Sequence, residues 1–541
     1  MVRVKVVASR QSRVFLNRRP GVPATARPIL RNDRRRAIQV AQTVWKGLRS
    51  VKRWSRAHTY LLLSIATPLV IRTIPEILAG PWPLGFDTVW VYAPFVKDVE
   101  TKGLLFGLSG IANEQAAPLV FFFLGSAAAA TKADPFAITK AAAPVLYGFL
   151  GFSLYWFAKR GLQWDSRKSL LLVLVTTLYF VPLRFSWDMY KNTLGLAFLF
   201  LALTYLESGQ NSREKWLLAT FSGLTILSSE LTSVVLGSVT GILFLWSKIQ
   251  KRHWNWHLLV LAGISVVAVL FYLHVLVPRV IPYSPLAPPL PQSIFPYDYV
   301  GANEDAYVYP TLFDVYASVL ALTAFLLGPI LPLAFRGFFL ERRLFSMSFA
   351  LGIGAFSLLF SPFTAIPAWH RWLYMLVFPT LILATGGLLT FSRRGRIAIL
   401  GILVLSAAAF IGPSDGGALP YFTTSYTVRY IPPSLMRTTV LLADSPDVVR
   451  VATWLNQRLQ PDSILVANIW FTGWAKLYVD TMPVYTFVNP LQVDSASLSG
   501  FSHVYAIDWA GGSGEVGPVL LPAGATEIFT SGRISAYELI R

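Results

Sequence analysis

The 541-residue chain contains no cysteine, which removes disulfides, thiolate metal sites and cysteine nucleophiles and leaves its redox compartment open. Charge is scarce: 14% of residues are Asp, Glu, Lys or Arg, against roughly 25% in a soluble protein. The six histidines are scattered and form no HExxH pair, which excludes that type of zinc centre. No Gly-rich loop joins a strand to a helix, so there is no nucleotide-binding signature, and no internal repeat is visible. What the chain does have is apolar sequence. At 54% hydrophobic residues, most of it reads as membrane helix.

The net charge of +20 is concentrated: sixteen Lys/Arg and one acid, Asp33, precede residue 58. A basic stretch running directly into an apolar segment reads as a cytoplasmic tail, 1–57, lying partly as an amphipathic helix on anionic lipid. It lacks the interleaved aromatics that stack on bases, so nucleic acid is not an expected partner. The first apolar segment also starts too late for a cleavable signal peptide.

Twelve apolar runs between residues 58 and 412 reach or approach the roughly 20 residues of a helical span. Lys/Arg clusters lie at 158–168, 212–215, 247–252, 336–343 and 392–396. All five fall on the cytoplasmic side, with an internal N-terminus, only if the run 104–131 does not cross. That run is interrupted by Asn113, Glu114 and Pro118. The expected fold is an α-helical multi-pass membrane protein of about eleven spans, with a small C-terminal extracytoplasmic α/β domain. The membrane domain covers 58–412, with outer loops 79–137 and 278–312, followed by a linker, 413–439, and the α/β domain, 440–541. In that last domain "SPDVVRVATWLNQRL" reads as a helix with Ser445 as N-cap and Pro446 at its first position. "SILVAN", "SHVYAIDW", "TEIFT" and "ISAYELI" read as strands.

This topology gathers the acids on the outer side. Asp87 lies in "GPWPLGFDTVWVYAPFV", where Gly and Pro end a helix and Trp82, Trp90 and Tyr92 belong at a membrane–water interface. Asp188 in "FSWDMYKN" suits either an N-cap for the span from 191 or a site carboxylate. Glu230 in "LSSEL" is either a solvated turn or a polar group facing a shared cavity, since a carboxylate in hydrocarbon costs roughly 2.5–3.5 kcal/mol. His370 and Arg371 in "PAWHRWLY" open a span, where an arginine either snorkels to the interface or forks onto a phosphate. Acids facing a phosphate-binding base suit transfer of a group from a lipid phosphate to a hydroxyl. Loop 278–312, with eight prolines and the acids Asp298, Glu304 and Asp305, is either a lid or acceptor rim for that site or a stiff connector.

"GFDTVWVYAPFV", "FSWDMYKNTLGLAF", "LSSELTSVV" and "HRWLYMLVFP", in that order, resemble the GT-C superfamily of integral membrane glycosyltransferases. The likeness is to archaeal and bacterial members related to dolichyl-phosphate-mannose-dependent mannosyltransferases and to oligosaccharyltransferases. It covers residues 58–390. It implies an enzyme moving a single sugar from a polyprenyl-phosphate donor to a glycan, lipid or protein acceptor at the outer face of the cell membrane. By the same resemblance Asp87 matches the general base, Asp188 the second acid, and Arg371 the donor-phosphate ligand, with His370 and Lys191 beside it and Glu230 and Tyr92 in support. A divalent cation, Mg2+ or Mn2+, would require Asp87, Asp188 and Glu230 to converge. Related chains often carry a histidine where this one has Ser229 and Glu230, and a WWDYG-like motif is absent, which disfavours transfer of a whole oligosaccharide block.

Two other functions compete. A transporter or lipid-linked-sugar flippase would place charge near mid-membrane and often shows related halves. A polysaccharide polymerase or ligase would rely on outer arginines, whereas these outer loops are rich in acids.

Overall fold

The structure, a computed structural model, describes residues 58–206, 211–250, 256–272, 279–280, 312–338, 341–360, 364–365, 369–411, 439–458, 462–487, 498–510, 513–514, 517–518 and 524–539. The basic tail, nearly all of loop 278–312 and nearly all of linker 413–439 lie outside the described residues.

The membrane part is a bundle of helices. It comprises α1 (His58–Leu78), α2 (Ala93–Lys102), α3 (Leu104–Asn113), α4 (Leu119–Thr131), α5 (Pro135–Trp156), α6 (Ser166–Leu178), α7 (Phe180–Asp188) and α8 (Tyr190–Tyr205). These are followed by α9 (Ser212–Ser228), α10 (Glu230–Ile249), α11 (Trp256–Phe271), α12 (Leu312–Leu327), α13 (Leu331–Arg336), α14 (Arg342–Ala355), α15 (Trp369–Leu388) and α16 (Arg393–Ile411). Among the described residues five helices are long and apolar enough to cross a membrane, or six if α6 and α7 form one bent span. Among the described residues the eleven-span expectation is not reached on length alone, because α8, α9, α11, α12 and α14 have 14 to 17 residues. Apolar side chains on α11 and α16, among them Val267, Leu270, Ile402 and Leu405, are exposed, as hydrocarbon-facing residues must be.

Local sequence explains several helix starts. Asp134 accepts from the Phe136 and Ala137 N–H groups with Pro135 at the first position of α5, and Asp165 accepts from Arg167 and Lys168 at α6. Both are N-caps of the usual kind. The run 104–131 forms α3 and α4, of ten and thirteen residues, each shorter than a span requires. The apolar run 169–185 is also divided. Pro182 has no N–H to give the Leu178 carbonyl, so α6 stops there, Tyr179 is extended, and α7 departs at 68°.

The helix ends carrying the Lys/Arg clusters also hold together. Arg343, at the start of α14, donates to the carbonyls of Leu203 at 3.0 Å and Gly161 at 2.8 Å. That satisfies terminal carbonyls of two other segments.

The C-terminal domain contains α17 (Ser445–Arg458), β1 (Ser463–Asn468), α18 (Ile469–Tyr478), β2 (Val484–Phe487), β3 (His503–Trp509), β4 (Ala525–Ser531) and β5 (Ile534–Leu539). The sheet order is β2-β1-β3-β5-β4, with β1 parallel to both neighbours and β5 antiparallel to its own. The expected α17 and four strands are present, whereas α18 and β2 were not anticipated. Ser445 does not cap α17; its hydroxyl donates to the Leu441 carbonyl. The core on one face of the sheet includes Phe86, Val89, Ala93 and Phe136 of the membrane part along with Val451, Leu465, Trp470, Phe471 and Trp509. The two parts share one hydrophobic core.

Candidate active site

The segment after α1 makes a π-helical turn, Thr88–Tyr92, with Asp87 at its entrance. Such wide turns are rare and concentrate at functional sites. Thr88 Oγ1 donates to the Trp187 carbonyl at 3.1 Å. Gly85 lies so near the α7–α8 junction that a Cβ there would stand 2.6 Å from the Asp188 Cβ. Only glycine allows that approach. The turn bearing Asp87 is thereby seated on the break bearing Asp188.

Asp87, Asp188 and Glu230 each have a basic partner. Arg371, one residue into α15 from His370, places Nη2 3.3 Å from Asp87 Oδ1 and 3.2 Å from Oδ2. Asp188 meets Arg184, one turn earlier on α7, at 3.0 Å. Glu230 Oε1 accepts from Lys191 Nζ at 2.8 Å and from the Ala117 N–H at 2.7 Å. Asp87, Asp188 and Glu230 are all buried. Glu230 is thus no solvated turn, and Asp188 is no N-cap: α8 is preceded by Met189, without a side-chain cap.

The pairs are neighbours. Tyr92 stacks on Tyr190 with centroids 4.7 Å apart, and its hydroxyl accepts from the Lys191 N–H at 3.3 Å. Burial and the adjacent Asp87 carboxylate push the Tyr92 hydroxyl well above its usual range, so it remains protonated. Asn192 Nδ2 donates to Ser229 Oγ at 3.1 Å, which ties the start of α8 to the start of α10. His370 is fully buried and edge-on to Trp369. Trp82 and Trp90 are partly buried and pack against the core shared with the C-terminal domain.

A further cluster escaped the sequence analysis. Arg72 and Lys140 both grip Glu76, at 2.6 Å and 2.9 Å, and Lys140 also donates to the Glu76 and Trp82 carbonyls. Arg72 and Glu76 are buried. The signal was there: two ionisable residues at i, i+4 within an apolar run. The cluster reaches the site through Tyr190, whose hydroxyl donates to the Thr139 carbonyl at 3.0 Å and receives Thr88 Oγ1 at 3.3 Å.

The five cations Arg72, Lys140, Arg184, Lys191 and Arg371 thus face the four carboxylates Glu76, Asp87, Asp188 and Glu230. The proposed metal trio does not fit: among the described residues no three His, Asp or Glu side chains gather as metal ligands, and Asp87, Asp188 and Glu230 each turn to a separate base.

No family model and no curated protein matches the chain. Among solved structures it is similar to ArnT from Cupriavidus metallidurans bound to undecaprenyl phosphate, at 13% identity and a TM-score of 0.48, over 89% of this chain and 98% of that one. The apo form of ArnT aligns at the same identity and score, over 90% of this chain. The arabinofuranosyltransferase AftD from Mycobacteria aligns at 12% identity and a TM-score of 0.45, over 89% of this chain and 40% of that one. With identities and scores this low, function has to be argued from the chain's own residues.

Proposed function

We propose that the protein is a membrane glycosyltransferase that moves one sugar from a polyprenyl-phosphate donor to an acceptor hydroxyl at the outer face of the membrane. The observation that carries this reading is the Asp87–Arg371 contact, which brings a buried carboxylate and a guanidinium together across 284 residues of sequence. A phosphodiester donor carries one negative charge, which the Arg371 guanidinium can meet. Phosphate and Asp87 then compete for Arg371. When the donor binds, Arg371 turns to the phosphate, and the released Asp87 carboxylate accepts the acceptor's hydroxyl proton. The acceptor oxygen bonds to the anomeric carbon as its bond to the phosphate oxygen breaks. The electron pair stays on that oxygen, and Arg371 and Lys191 stabilise the charge that develops there. With one base and one displacement, the anomeric configuration inverts.

Reconstitution tests this directly. Purified protein, radiolabelled polyprenyl-phosphate mannose or glucose and an extracted glycan pool are incubated with wild type and Asp87→Asn, with and without chelator. Transfer by wild type that Asp87→Asn loses, with the variant folded and still binding donor, establishes the enzyme and its base.

A second reading has its own support. The bent α6–α7 pair, next to buried ion pairs, is also how transporters build central sites. Movement of labelled lipid across vesicles with no transfer to any acceptor would decide for a flippase.

A further inference from the structure

The C-terminal domain meets the membrane part at the turn that carries Asp87. α18 lies against the π-helical turn with Gly473 at the contact: a Cβ there would collide with the Val89 carbonyl oxygen and stand 2.9 Å from the Trp90 Cα. On either side aromatic rings lock the two parts together. Trp470 meets Phe86 edge-on at 5.4 Å, one residue before Asp87, and Trp474 meets Trp82 at 5.8 Å and Phe136 at 5.5 Å. The far end of α18 is tied by Lys97, which donates to the Leu477 carbonyl and the Asp480 carboxylate, both at 2.6 Å. Trp474 is in turn anchored to its own domain by a 2.7 Å bond from Nε1 to Thr439 Oγ1.

The turn is therefore held on both faces. The α7–α8 junction supports one face through Thr88 and Gly85, and α18 closes the other. These contacts on both faces fix where the turn places Asp87. We infer that α18 is a built-in clamp for the Asp87 turn, with Gly473 as a positioning residue acting through Val89 and Trp90. The C-terminal domain then completes the site instead of serving as a detachable acceptor module. This rests on the glycosyltransferase reading for its effect on turnover, while the clamp itself can be measured without substrate.

The experiment compares full-length wild type, Gly473→Ala and Lys97→Ala in detergent by hydrogen exchange, alongside donor binding and transfer. The clamp predicts faster exchange at amides 86–96 in both variants, with amides of β1 and β3 still protected. It also predicts a fall in kcat on the order of a hundredfold in Gly473→Ala, the cost of a misplacement near 1 Å, with donor KM within about twofold of wild type because Arg371 and α15 are untouched. Unchanged exchange at 86–96 in Lys97→Ala overturns the clamp even if Gly473→Ala fails to fold, since Lys97 ties only the end of α18. Faster exchange at 86–96 without sugar transfer by wild type would keep the clamp and remove the glycosyltransferase reading.

Discussion

Arg371 holds both carboxylate oxygens of Asp87 through a single nitrogen, Nη2, at 3.3 and 3.2 Å. The residue assigned to the base and the residue assigned to the phosphate thus occupy each other before any donor arrives. A carboxylate held by a guanidinium is a poor proton acceptor, so on the proposed mechanism the resting contact would keep Asp87 idle until a phosphate competes for the arginine. On that mechanism the donor is expected to bind before the acceptor.

The competition has a consequence that a purely structural ion pair would not share. Asp87→Asn frees Arg371 from a charged rival, so the variant should bind polyprenyl phosphate at least as tightly as wild type while turnover drops by about 10²–10⁴, the usual worth of a general base. Equilibrium binding of labelled polyprenyl phosphate checks the first half. Clearly weaker binding by Asp87→Asn would end the exchange mechanism. Arg371→Lys keeps the charge and loses the fork, and should weaken binding about tenfold, equivalent to about 1.4 kcal/mol.

Lys191 and Glu230 are joined across the α8–α10 interface. Glu230→Gln leaves a largely buried ammonium without its charge partner, which should lower stability by on the order of 3 kcal/mol. Adding Lys191→Met to Glu230→Gln removes the stranded charge and should recover most of that loss. Thermal unfolding in detergent of the two single variants and the double variant gives the coupling. A double variant as unstable as the sum of the singles would mean the two side chains do not act as a pair.

Glu76 neutralises two cations at once. Glu76→Gln strands both Arg72 and Lys140, and Lys140 fixes the Trp82 carbonyl five residues before Asp87. This variant should be the most destabilised of the acid-to-amide set, by roughly 3–5 kcal/mol. Glu76→Gln unfolding no earlier than Glu230→Gln would assign the cluster a lesser role.

Much of this was legible in the sequence, and the exceptions have physical causes. The acids and Arg371 announce themselves because charge in an apolar chain is costly and therefore informative. Asp134 and Asp165 mark helix starts by local chemistry alone. The bend at Tyr179 hid because apolar residues continue through it, and only Pro182 signals that a carbonyl has lost its donor. "IWFTGWAKLY" did not read as a helix: Gly473 lowers its propensity, and its aromatics suit a strand equally well. What decides the matter is packing against residues 86–90, nearly four hundred positions away.

Asp508 is buried at the end of β3 with the Trp509 N–H as its hydrogen-bond donor, and burial pushes its carboxyl up to about 8. A carboxyl whose folded value lies above the unfolded one stabilises the fold only while protonated. That contribution is complete below about pH 4 and is lost progressively as pH rises to about 8. At pH 7 the unfolded chain has released the proton and the folded chain still holds it, a penalty on the order of 4 kcal/mol. Asp508→Asn keeps an acceptor for Trp509 and has no proton to lose. It should raise the melting temperature at pH 7 and flatten the slope between pH 5 and 8, measured on the full chain. A wild type whose stability does not fall across that window, or an Asn variant that melts earlier at pH 7, would mean that Asp508 is ionised in the folded domain and held by a cation.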